Sequence, residues 1–79
     1  MPTVFRVTGF RFYFWSHELN EPPHVHVDRS DASAKFWLAP VSLASNRGYG
    51  AHDLGVILRL VRRHRPELLK AWHEFFGTG

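Results

Sequence analysis

Val4-Phe5-Arg6-Val7-Thr8-Gly9-Phe10-Arg11-Phe12-Tyr13-Phe14-Trp15 is the stretch that decides the fold. Aromatic and β-branched residues alternate with arginines at a period of two, the spacing of strands that turn one apolar face to a core. Thr8-Gly9 interrupts the alternation where a two-residue hairpin connection fits. Folding about that turn sets Val7 against Phe10, Arg6 against Arg11, Phe5 against Phe12 and Val4 against Tyr13. One face of the hairpin is then wholly apolar, and the other carries Val4, Arg6, Arg11, Tyr13 and Trp15.

The same alternation resumes downstream. A polar loop from Ser16 to Glu21 ends in Pro22-Pro23, which holds the chain extended as it approaches the next strand. From His24 to Asp28, Val25 and Val27 point one way and His24, His26 and Asp28 the other. Arg29-Ser30-Asp31 turns the chain. Ala34, Phe36 and Leu38 then continue the apolar face, with Ser33, Lys35 and Trp37 opposite. Pro40 leaves Val41 to Leu43 as no more than a short edge strand, and Asn46 to Gly50 reads as a loop.

From about Ala51 the period changes to that of a helix. Leu54, Leu58, Val61, Leu68, Trp72 and Phe75 recur at three- and four-residue steps, with Ile57, Leu69 and Phe76 widening the stripe. Asp53 falls in the first turn, where the helix dipole favours an anion. Pro66 removes a backbone donor, so the helix must kink or restart near Arg65. Gly77 is a natural stop. The expected fold is α+β: a small antiparallel sheet of four or five strands, with one long C-terminal helix (kinked near Pro66, or two in tandem) packed on one face.

The 79 residues suit a single domain, because one core commonly organises about 100–200 residues. An apolar content of 44% with twelve aromatic residues (seven Phe, three Trp, two Tyr) excludes an intrinsically disordered chain. No cysteine is present, which excludes disulfides, thiolate zinc sites and cysteine nucleophiles. No secretory h-region follows Met1, and no apolar run approaches the ~18 residues of a membrane helix, so a cytoplasmic protein is expected, without a membrane partner. The net charge of +3 arises entirely after residue 40. Such an excess in one element points to an anionic partner.

The second sheet face gathers Arg6, Arg11, Tyr13, Trp15, His24, His26, Asp28, Lys35 and Trp37. Arg6 opposite Arg11 is a like-charge pair, a mild cost that an acidic partner would relieve. Tyr and Trp beside Arg and Lys can stack bases and hold phosphates, and the same set matches the hot spots of protein interfaces. On the helix, Arg59, Arg62 and Arg63 lie off the apolar stripe and make a second basic surface. His24 and His26, two residues apart on a strand, have a spacing used in some zinc sites. A third ligand would have to be Asp28, His17, His52 or His73, none at a diagnostic interval, so no metal or other cofactor is expected. The two histidines with Lys35 could instead act as acid, base and phosphate stabiliser in metal-free RNA cleavage. The chain holds no phosphate-cradling glycine loop, no helical zinc-protease motif and no nucleophile elbow.

Phe12-Tyr13-Phe14, Asn20-Glu21-Pro22-Pro23-His24-Val25-His26-Val27, Ala34-Lys35-Phe36-Trp37-Leu38, Ser45-Asn46-Arg47-Gly48 and Ala71-Trp72-His73-Glu74-Phe75-Phe76 together resemble the small bacterial domain-of-unknown-function family 4160. The resemblance spans nearly the whole chain, and the Pro-Pro-His-Val-His run is its most specific part. It implies a stand-alone protein with a protein partner, since that family is found beside a second small family, 2442, in pairs that look like toxin–antitoxin modules. It supplies no catalytic residues. Two departures stand out against the family pattern: the basic run Arg62-Arg63-His64-Arg65-Pro66, and Gly50 where a Ser cap is common. Size and charge are also similar to those of anti-CRISPR proteins, including small inhibitors of type I-C complexes, which act by occupying a surface.

The leading expectation is therefore a non-enzymatic binding protein, monomeric or homodimeric, that acts on a protein complex handling nucleic acid. Arg6, Arg11, Tyr13, Trp15, Lys35 and Trp37 would form one contact surface and Arg59, Arg62 and Arg63 the other. The alternatives are a metal-independent RNA-cleaving toxin using His24, His26 and Lys35, and a module that binds nucleic acid directly.

Overall fold

The computed structural model describes residues 3–15 and 20–77. Five strands, β1 (Thr3–Val7), β2 (Phe10–Tyr13), β3 (His24–Arg29), β4 (Ala32–Leu38) and β5 (Val41–Arg47), form one antiparallel sheet in the order of the sequence. Helices α1 (Ala51–Arg63) and α2 (Arg65–Phe76) follow. Thr8 and Gly9 both take positive φ, 46° and 85°, the geometry that matches a two-residue hairpin to the twist of its strands. Pairing of Val7 with Phe10, Arg6 with Arg11 and Phe5 with Phe12 is as the alternation requires.

The expected pairing of Val4 with Tyr13 does not occur. The register shifts between Thr3 and Phe5, so Thr3 stands opposite Tyr13 and Val4 packs against the core. An extra residue at a sheet edge lets the chain put Val4 where its apolar surface is covered, while the Thr3 hydroxyl accepts a hydrogen bond from Arg11 Nε at 2.8 Å. β5 is also longer than expected. It runs seven residues and takes in Asn46 and Arg47, read from the sequence as loop. The following Tyr49 is buried, its hydroxyl donating to the Val27 carbonyl at 2.9 Å, and Asn46 bonds the Tyr49 backbone on both sides. Those bonds tie the strand end to the start of α1.

Phe10, Phe12, Phe14, Val25, Val27, Ala34, Phe36 and Leu38 make the apolar sheet face, and Ile57, Val61, Leu68 and Trp72 meet it from the helices. Each fully buried Val, Leu, Ile or Phe side chain among them stabilises the fold by ~1.5–3 kcal/mol relative to exposure. Phe75, expected in the helical stripe, is instead 42% exposed. The stripe cannot run straight through, because the helix breaks at His64 (φ −99°, ψ 10°). Pro66 lies in the first turn of α2, where its missing N–H needs no partner. Of the two forms that the sequence left open, the tandem pair is the one adopted. Arg65 Nε donates to the Leu38 carbonyl at 2.6 Å and His64 packs on the Phe5 ring, so the break is anchored to the sheet. Gly77 ends α2 in the left-handed conformation (φ 68°). Among the described residues, no helix is long and apolar enough to cross a membrane.

Candidate functional site

Both helices lie on the apolar side, and two neighbouring cross-strand rows of the second sheet face line a groove. Register places Tyr13, His26, Lys35 and Ser45 in one row, and Arg6, Arg11, Asp28, Ser33 and Arg47 in the next. This groove, of about 720 Å³, runs over these rows, lined by Tyr13, Trp15, His26, Asp28, Lys35 and Arg47 among others. Strand alternation positions each of these side chains, since residues two apart on one strand share a face.

Tyr13 is the hub of the face and is only 3% exposed. Its hydroxyl donates to the Asp28 carboxylate, 3.0 Å from either oxygen. The His26 ring stacks on it at 5.3 Å, Trp15 meets it edge-on at 5.8 Å, and the Arg11 guanidinium lies 4.7 Å from its centroid. Burial, and then the bond to Asp28 and its negative charge, push the Tyr13 hydroxyl above the ordinary phenol value. The expectation of an exposed Tyr13 is thereby corrected: the ring is buried against His26, Trp15 and Arg11. Trp15, 36% exposed, is an aromatic that this face offers to solvent.

The cations are less free than the sequence implied. Lys35 makes an ion pair with Glu21 and sits 4.6 Å from the Trp37 centroid. Arg11 has Asp28 directly across from it, so the Arg6–Arg11 repulsion is offset within the sheet. The site also includes Glu21, Ser45 and Arg47, which sequence reasoning did not select. Arg47 and Ser45 lie in a part of β5 whose sequence carries no strand alternation, and only register shows them to share the face.

His24 is not on the accessible surface. It is fully buried, with Nδ1 2.9 Å from the Pro22 carbonyl oxygen and its ring packed between Trp37 (5.7 Å) and Trp72 of α2 (4.9 Å). His26 stands edge-on to it at 5.2 Å and is half-buried. The two imidazoles therefore belong to different environments, one to the joint between sheet and α2, the other to the groove. Of the third ligands considered, His17 lies outside the described residues. Among the described residues, no three His, Asp or Glu side chains gather closely enough to hold a metal ion.

Arg59, Arg62 and Arg63 are all exposed on α1, away from the groove. Asp53 at the start of that helix pairs with Arg29 at 2.8 Å.

The model of the domain-of-unknown-function family DUF4160 matches residues 9–73, from the hairpin turn to the last turns of α2. The chain belongs to the DUF4160 family. Every residue of the groove and of the His24 joint falls within the matched span. No curated protein and no solved structure matches the chain.

Proposed function

We propose that this chain is a non-enzymatic binding protein that modulates a protein complex handling nucleic acid, either as a component of a toxin–antitoxin module or as an anti-CRISPR-like inhibitor. The observation that carries this reading is the open sheet face. Two helices cover one side of the sheet, and the other side keeps a groove with Trp15, His26, Lys35 and Arg47 along it. A surface with an exposed Trp amid Arg, Lys and His has the make-up of a protein hot spot. The arginines of α1 give a second basic surface, suited to steering an acidic partner.

The burial of His24 weighs against the RNA-cleaving alternative, because an imidazole without solvent access cannot exchange a proton with a bound phosphodiester. The first partners to test are a purified member of family 2442 and a type I-C surveillance complex. Affinity would be measured at several salt concentrations, alongside incubation with labelled RNA and duplex DNA. Binding to a protein partner that falls at least tenfold with Trp15→Ala or Arg6→Glu is the expected result. RNA cleavage abolished by His26→Ala, or tight binding to bare nucleic acid with no affinity for either protein, would overturn it.

A further inference from the structure

Among the described residues, the outer strand β5 has one backbone edge without a strand beside it. Natural edge strands are commonly blunted by charge, proline, shortness, bulges or cover. This one runs seven residues, and from Val41 to Asn46 it carries no charged side chain. Its single irregularity is a bulge at Ala44, where Leu43 pairs with Phe36 and Ser45 with Lys35. Leu43 belongs by register to the helix-facing side, yet it is 45% exposed because α1 does not reach over it. Between β5 and α1 lies a groove of about 360 Å³, lined by Val41, Leu43, Leu54 and Leu58 with Arg62 at its side. Arg59 and Arg63 are exposed on the same helix, and the acid in its first turn, Asp53, is already engaged by Arg29.

We propose that β5 and α1 form a receptor for an extended acidic segment of a partner protein. The segment adds to β5 as a sixth strand, seats an apolar side chain against Leu43, Leu54 and Leu58, and pairs its carboxylates with Arg62 and the neighbouring arginines. Main-chain hydrogen bonds along the edge supply affinity, while the groove and the charges select the sequence. Charge complementarity favours this occupant over a second copy. Antiparallel pairing of β5 with β5 would set both α1 helices on the same side of the joined sheet, and their arginines would meet at the seam. The inference rests on the proposed function for its protein ligand and for the α1 arginines, and adds to them a strand edge and a groove apart from the open sheet face.

A display library of random ten-residue peptides, selected on the purified full chain, tests it. The expected winners carry an apolar residue flanked by Asp or Glu. Their synthetic versions should bind at least tenfold more weakly to Leu43→Glu and to Arg62→Glu, both exposed positions whose variants are checked for folding by thermal melts. Methylating alternate amides of the peptide should remove binding, and Trp15→Ala should leave it unchanged. Enrichment of no peptide, or of neutral or basic ones, overturns the proposal, as does equal affinity for the two variants. A dimer in sedimentation that dissociates in Leu43→Glu also overturns it, by assigning the edge to a second copy. Loss of peptide binding in Trp15→Ala alone would assign the ligand to the open sheet face and overturn the edge site while leaving the binding function standing.

Discussion

Arg11 on β2 lies directly opposite Asp28 on β3, and the same carboxylate accepts the Tyr13 hydroxyl from two residues along β2. One acidic side chain therefore serves two neighbours: it balances the Arg6–Arg11 pair and closes the only polar group of a buried ring. Asp28→Ala should cost about 1–3 kcal/mol in urea unfolding, the usual consequence of leaving a buried donor without its acceptor. Asp28→Asn keeps an acceptor and should cost less, while the Tyr13 hydroxyl titrates closer to the ordinary phenol range in both. An unchanged tyrosine titration would show that burial alone raises it.

Stability should fall at high pH through the tyrosines. Burial, with the charge of Asp28 next, pushes Tyr49 up to about 12, and Tyr13 is raised as well. Both phenols are therefore deprotonated more easily in the unfolded chain. The stabilisation is complete below pH ~10, where unfolded tyrosine is still protonated, and is lost as pH rises towards 12. Tyr49→Phe should flatten part of that decline and cost ~1 kcal/mol at neutral pH for the bond to Val27. Urea midpoints measured across the alkaline range would check the sign.

His24 and His26 should separate cleanly by stability. His24→Ala leaves a void beside Trp72 and Trp37 and should cost about 2–4 kcal/mol. His26→Ala removes a half-buried ring from the groove and should cost less, with its effect read in partner binding. Equal losses of thermal stability in the two variants would contradict the separate environments described for them.

The hairpin turn has room for improvement. Thr8 holds φ 46°, a conformation that a β-branched residue adopts with strain and that Asn accepts readily. Thr8→Asn should stabilise the chain by about 0.5–1 kcal/mol, seen as a higher urea midpoint with an unchanged slope.

The alternation of aromatic and β-branched residues was enough to determine the strands β1 to β4, the pairing of Phe5 with Phe12, and the division of the sheet into an apolar and a polar face. These are local properties: a period of two admits a single assignment of faces, and a slip of one residue would expose the whole core. The start and stop of the helical region, with Gly77 as its end, were legible for the same reason.

What the tertiary structure alone decided concerns positions where local pattern permits two outcomes. Val4 obeys the alternation in sequence, yet a bulge turns it to the core because burial there gains more than regular pairing. Residues 44–47 carry little hydrophobic signal, and they become strand because β4 offers them a ladder and Asn46 fixes their end through Tyr49. Pro66 allows either a kink or a break. The contacts of His64 with Phe5 and of Arg65 with Leu38 are long-range, and they decide for the break. His24 and His26 read as equivalents on one side of a strand. Only the docking of α2, which brings Trp72 onto His24, makes one a buried joint and leaves the other to the groove.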